Sequence, residues 1–180
     1  MAVLSYVSPR PDIYDLDRVS IGGFSAGANV AILAAIRATK SSFPLPIKSI
    51  IAWYPPTNLT RAGTEAKSGF SLLNWLHHTL RSCYLPPGID RGNPLVSPLF
   101  AESSLFPPTT LIVGEEDKLF VDSVELAKKL NSEGVDCVLH TVPEANHAWE
   151  RSVKKGTTLW AARERALDLT ITRLREAYSS

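Results

Sequence analysis

Cysteine is scarce in this chain. Cys83 and Cys137 are the only two in 180 residues, too few for a disulfide framework and without metal-ligand spacing. Both read as ordinary thiols of a reducing compartment, with the cytoplasm as the default expectation. An excess of charge is missing too. The formal net charge is +1, which gives no electrostatic reason to expect nucleic acid or an anionic membrane as a partner. No apolar run approaches the roughly 20 residues of a membrane span. The opening MAVLSYVSPRPD has no basic n-region, so no signal peptide is expected. None of the four histidines is followed by glycine, and Ser25 has only 24 residues before it.

What remains is the profile of a globular protein, 44% hydrophobic and 21% charged, most simply a single domain. RVSIG (18–22) reads as a strand and Ala28 to Lys40 as a helix. KSIIAWY (48–54) is an apolar strand stopped by Pro55-Pro56, and TTLIV (109–113) another, stopped by Gly114. Helical spacing runs from Ser123 to Ser132, with Gly134 as terminator, and VDCVLHTV (135–142) is a fourth strand. The tail predicts a long helix with an apolar stripe of Trp160, Leu167, Ile171, Leu174 and Tyr178. Strands alternating with helices predict an α/β domain with a mostly parallel sheet and flanking helices. Uninterrupted strands such as SIIAW suit a sheet covered on both faces. Residues 57–108 break the rhythm. They are proline-rich, lack a strand signal, and carry the apolar patch FSLLNWLHHTL, so they read as a cap-like excursion over one end of the sheet.

Gly23-Phe24-Ser25-Ala26-Gly27 sits between the first strand and the first long helix. The bare G-x-S-x-G pattern is weak, but its position is not. A serine at a sharp strand-to-helix turn is the signature of a nucleophile elbow. Gly23, Gly27 and Ala28 supply the small neighbours such a turn needs. The turn also aims the Ala26 N–H and the positive helix end at the place where an oxyanion would form. The bland alternative is a glycine-rich turn that binds phosphate or merely packs. A serine needs a base, and the base an orienting acid. His77 and His78 lie in the excursion and His140 inside the last strand. His147, in PEANHAWE, follows that strand on a loop at the carboxyl end of the sheet, where sites gather. Among the acids after TTLIVG, Asp122 with Glu125 fits a D-x-x-E capping box, and Glu115 and Glu116 read as solvated or supporting. Asp117, just past the strand end, is the expected acid.

DRVSIGGFSAGANVA, NPLVSPL, GEEDKLFVDS and NHAWE, in this order, resemble the α/β-hydrolase fold-3 family, the esterases related to hormone-sensitive lipase. Gly23 to Asn29 resembles that family's G-D-S-A-G-G-N apart from Phe24 and Ala28. Asn93-Pro94-Leu95-Val96-Ser97-Pro98 resembles its D-P-x-x-S-P segment. Asp117-Lys118-Leu119 and His147-Ala148-Trp149 resemble its acid and histidine motifs. The resemblance implies hydrolysis of carboxylic esters through an acyl-enzyme, without cofactor or metal. Ser25 is then the nucleophile, His147 the general base, Asp117 its orienting acid and Ala26 an oxyanion donor. Phe70, Leu72, Leu73, Trp75 and Leu76 suggest a pocket for a small hydrophobic ester, or simply pack the excursion onto the sheet.

The chief departure is the H-G-G-G of that family, which this sequence lacks. The chain therefore reads as the C-terminal portion of such a domain, with the strand before Ser25 at a sheet edge. Loss of oxyanion donors predicts weak activity, and an exposed edge offers a route to self-association. A crippled fragment serving as a binding module is the competing expectation. A peptidase of the same fold is a weaker one, since no separate domain for selecting peptides is evident.

Overall fold

The structure, a computed structural model, describes residues 1–61 and 87–179. Four strands, Ser20–Phe24 (β1), Ser49–Trp53 (β2), Thr109–Gly114 (β3) and Cys137–Val142 (β4), pair in parallel in the order β1-β2-β3-β4. The central pair, β2 and β3, is buried at every residue, as continuous apolar runs require when both faces are covered. β1 is only partly buried, and its outer edge has no strand beside it among the described residues. The first strand lies two residues later than RVSIG suggests. The register carries Gly22 and Gly23 opposite Ile51 and Ala52, and Phe24 opposite Trp53, so the glycines are part of the ladder.

Side chains alternate across the sheet and divide the core in two. Ile50, Ala52 and Leu111 point to one face, under Ala26–Lys40 (α2) and Phe120–Ser132 (α3). Ile51, Trp53 and Ile112 point to the other, under the C-terminal helix Thr158–Ala177 (α4). The short N-terminal helix Ala2–Val7 (α1) docks through Leu4 onto Ala38 and Leu45 at the far end of α2. α3 ends as expected: Gly134 takes a positive φ of 80°, and the Val135 N–H reaches back to Leu130 O at 2.9 Å.

The described end of the excursion contributes to the core. Ala101 and Phe106 belong to the core on the α2–α3 face, and Ser97 and Ser103 are buried. FSLLNWLHHTL, with Phe70, Leu72, Leu73, Trp75, Leu76, His77 and His78, lies outside the described residues, as does Cys83.

Two readings of helices are corrected. On α4 Ala162 and Ala166 pack into the core against the sheet, with Leu159 and Leu174 packed beside them, whereas Leu167 and Ile171 are exposed. Small residues let the helix axis approach a sheet face already crowded by Trp53 and Trp149. The larger residues of the expected stripe are displaced to its flank. Trp160 instead lies beneath the Arg163 guanidinium, 3.8 Å from its ring centre.

Asp122 is not a cap. α3 begins earlier, with Leu119 at its N-cap, and Asp122 sits in the first turn facing inward. Its Oδ2 accepts the N–H groups of Thr57 and Asn58, both at 2.9 Å, while its carbonyl accepts the Thr57 hydroxyl at 2.9 Å. Burial pushes its carboxyl above the usual range, while the Asn58 and Thr57 N–H groups and then the Arg61 guanidinium pull it back. Glu125 pairs with Arg61 at 2.7 Å rather than with the helix start. Asp122 therefore ties the chain leaving β2 to α3. Asp122→Ala is expected to cost about 3 kcal/mol, because two buried donors lose their acceptor, against about 1 kcal/mol for a lost cap. Urea unfolding of the variant decides between the two.

Cys137 opens β4 and is buried; its thiol is pushed up to about 12, chiefly by burial, then by the Asp136 charge. Burial therefore keeps it a thiol near neutral pH, and a thiol is a poor nucleophile. Iodoacetamide is expected to modify Cys137 only as fast as the chain opens, read by peptide mass spectrometry with and without urea.

Candidate active site

Parallel strands end together, so the loops after β1, β3 and β4 emerge at one edge of the sheet. Ser25 occupies the first of these loops, a single residue between β1 and α2. Its N–H still continues the ladder to Trp53 O at 2.9 Å, while its carbonyl already accepts the N–H groups of Ala28 and Asn29. To serve both elements it adopts φ 52° and ψ −125°. Such a conformation costs a non-glycine residue about 1–3 kcal/mol.

Gly23 makes the turn feasible. A Cβ on it would lie 2.6 Å from the carbonyl carbon and oxygen of Gly27. Gly27 itself is different from expectation, because a Cβ there would meet nothing within 4 Å among the described residues. The closeness of strand and helix rests on the missing side chain of Gly23, and Ala28 is fully buried behind it. Ala26 is the first residue of α2, so its N–H precedes the intrahelical ladder and points out of the helix start.

The structure brings Ser25, His147 and Asp117 together. Ser25 Oγ lies 3.0 Å from His147 Nε2, and His147 Nδ1 lies 2.8 Å from Asp117 Oδ2. The Asp117 side chain is fully buried, whereas 38% of the His147 side chain is exposed. The other carboxylate oxygen of Asp117 accepts the Leu119 N–H at 2.9 Å, which fixes its orientation. The loops carrying these residues are joined through backbone. Glu115 N–H donates to Val142 O and Glu116 N–H to Ala145 O. A Cβ on Gly114 would fall 2.1 Å from Ala145 O, so only glycine permits that approach.

The other sequence candidates lie apart from this cluster. Glu115 accepts the Thr141 hydroxyl and Glu116 the Asn146 amide, both supporting the same two loops. His140 stays within β4, where burial, and then the Arg165 charge, lower its imidazole below the usual range. Among the described residues no cluster of three or more His, Cys, Asp or Glu side chains could hold a metal ion. No helix of the described residues is long and apolar enough to cross a membrane.

Sequence reading missed three contributors. Asn29, fully buried on α2, donates to Pro56 O at 2.7 Å and Val96 O at 3.3 Å, tying the chain after β2 to NPLVSPL. Tyr54, at the end of β2 with φ 40°, sets its ring edge-on to the His147 imidazole, with centroids 4.6 Å apart. Glu150 accepts the Tyr54 hydroxyl at 2.6 Å. Two signals stood in the sequence: Asn29 closes the motif that begins at Gly23, and Tyr54 stands just before Pro55-Pro56, where a strand had to stop.

Known proteins resemble this chain in sequence and in fold. An esterase of Gibberella moniliformis is 27% identical over 98% of this chain and 58% of its own length. An esterase of Acinetobacter venetianus is 30% identical over 68% of this chain and 41% of its own. The chain thus spans roughly half the length of the curated relatives it matches. Among solved structures, a fungal esterase from Rhizomucor miehei superposes with a TM-score of 0.78 over 99% of this chain and 58% of that one, at 21% identity. A hormone-sensitive lipase from a metagenome library gives 0.68 over 90% and 54%, at 26% identity. Residues 1–151 match the family described as the alpha/beta hydrolase fold, and the chain belongs to that family.

Proposed function

We propose that this chain carries the reacting half of a serine hydrolase that cleaves carboxylic esters through an acyl-enzyme. The observation that carries this reading is the continuous hydrogen-bonded line from Ser25 Oγ through His147 to buried Asp117. The names of its relatives, esterases from fungi and bacteria, support the same class.

In this reading His147 holds its proton on Nδ1, where Asp117 accepts it, leaving the Nε2 lone pair for the Ser25 hydroxyl. As Ser25 Oγ attacks the ester carbonyl, Nε2 takes the hydroxyl proton, and the imidazolium gains the favour of the adjacent carboxylate. The carbonyl oxygen becomes an oxyanion beside the Ala26 N–H and the positive end of α2. Nε2 then returns the proton to the leaving alcohol. Water repeats the cycle to release the acid and restore Ser25. The strained turn serves this chemistry by holding Oγ clear of the helix it precedes.

A small hydrophobic ester is the proposed substrate, and the cytoplasm the proposed location. The outer edge of β1, with no strand beside it among the described residues, supports self-association as a further part of this reading. Sedimentation velocity is expected to show concentration-dependent species heavier than 19.7 kDa.

With a p-nitrophenyl ester, Ser25→Ala is expected to abolish the burst of nitrophenol, and His147→Ala to be nearly as damaging because the groups act as a unit. Asp117→Asn is expected to lower kcat by about ten-thousandfold through the wrong tautomer of His147, with the fold retained by circular dichroism. A native burst in Ser25→Ala would remove the assignment.

A further inference from the structure

His147 is held at both nitrogens, Nε2 at 3.0 Å from Ser25 Oγ and Nδ1 at 2.8 Å from Asp117 Oδ2. The imidazole turns about its Cβ–Cγ bond, and that turn carries both nitrogens away from these partners. The side chain is 38% exposed. Its loop is bounded by two residues in left-handed conformation, Glu144 and Ala148, both with φ 58°. A packing contact on the ring opposes that turn.

Tyr54 makes that contact, with its ring at 63° to the imidazole and centroids 4.6 Å apart. Tyr54 is itself immobilised. It is 1% exposed, its N–H donates to Ile112 O at 2.6 Å, and the Phe24 ring lies 6.1 Å away. Its hydroxyl donates to Glu150 Oε1 at 2.6 Å, the short distance of a bond to a charged acceptor. Glu150 lies only three residues beyond His147, in the turn Trp149–Arg151. The bond therefore runs from the strand under the imidazole back to the segment that carries it, and closes a ring of contacts: His147, Glu150, Tyr54, His147. The other oxygen of Glu150 is buried without a hydrogen-bond partner, so the carboxylate depends on this one donor among the described side chains.

We propose that Tyr54 and Glu150 form a cross-brace that positions the imidazole of His147, so that the two residues act in the reaction through His147 without touching substrate. Burial, and then the hydrogen bond to Glu150 and its charge, hold the Tyr54 phenol far above the ordinary tyrosine range. The brace thus keeps its donor at any working pH. The proposal rests on the hydrolase reading for its rate consequence, but its structural content can be read without turnover.

Two measurements on the same variants test it: the second-order rate of Ser25 modification by a fluorophosphonate, and the imidazole Nδ1–H resonance of His147 with its exchange rate. Tyr54→Phe is expected to lower the modification rate about tenfold, since small misplacements of a reacting group carry costs of this order or more. It should also speed exchange of the Nδ1 proton. Glu150→Gln keeps an acceptor and is expected to lose less than Tyr54→Phe. The double change Tyr54→Phe with Glu150→Leu removes donor and acceptor together, so it should melt close to the native chain while still reacting slowly. If that double variant regains both the native melting temperature and the native rate, the pair is only structural and the proposal fails. Native exchange of the His147 proton in Tyr54→Phe would equally overturn it. A native chain that shows the protected proton but no modification at Ser25 would sink the hydrolase reading instead, and leave the brace standing.

Discussion

The backbone of Gly23 lies against the backbone of Gly27, where even a methyl group would intrude to 2.6 Å, and the geometry of the site descends from that approach. With strand and helix so close, one residue must make the whole turn. That residue is Ser25, forced to a positive φ and left with its hydroxyl at the rim of the sheet. The same approach puts the start of α2, where the Ala26 N–H precedes the helical ladder, beside the hydroxyl. A second glycine repeats the device across the sheet. Gly114 lets the loop after β3 close on Ala145, and Asp117 and His147 are carried on the two segments so joined. Two missing side chains thus set the relative positions of three polar ones.

Around this centre the chain leaving β2 is held from several directions. Asn29 of α2 takes Pro56 O, Asp122 of α3 takes the Thr57 and Asn58 N–H groups, and Ser97 Oγ accepts the Leu59 N–H at 2.8 Å. Each of these groups is buried, and each satisfies a backbone atom of a loop that has no ladder of its own. Tyr54 stands at the root of this loop. The order that clamps 56–59 therefore reaches the imidazole through the Tyr54 ring, with Glu150 closing it from the other side.

Much of the fold was legible because its strands are short apolar runs with hard stops, Pro55-Pro56 after β2 and Gly114 at the end of β3. That Ser25, Asp117 and His147 would meet was legible for a different reason. Few residues of those types follow a strand at the same end of the sheet. Asp122 was misread because D-x-x-E at a helix start is a local pattern, while its real partners are 64 and 65 residues away. Most of the stripe on α4 was misread because large apolar residues at heptad spacing outweigh alanines in any periodicity, yet the crowded sheet face is met by Ala162 and Ala166, with Leu174 the member of the stripe packed beside them. Gly27 matched a pattern of small residues whose steric demand falls on Gly23 alone. Tyr54 and Glu150, 96 residues apart, leave no trace in spacing at all.

The central claim is that Ser25 becomes acylated with His147 as its base. Acid-quenching the chain during turnover of a p-nitrophenyl ester, followed by tryptic mass spectrometry, tests it most directly. Ser25 lies on the peptide Val19–Arg37. The account predicts the mass of one acyl group on that peptide, located at Ser25, and its absence when His147 is alanine. Ester turnover with that peptide unmodified, or an acyl group on any other residue, would contradict it.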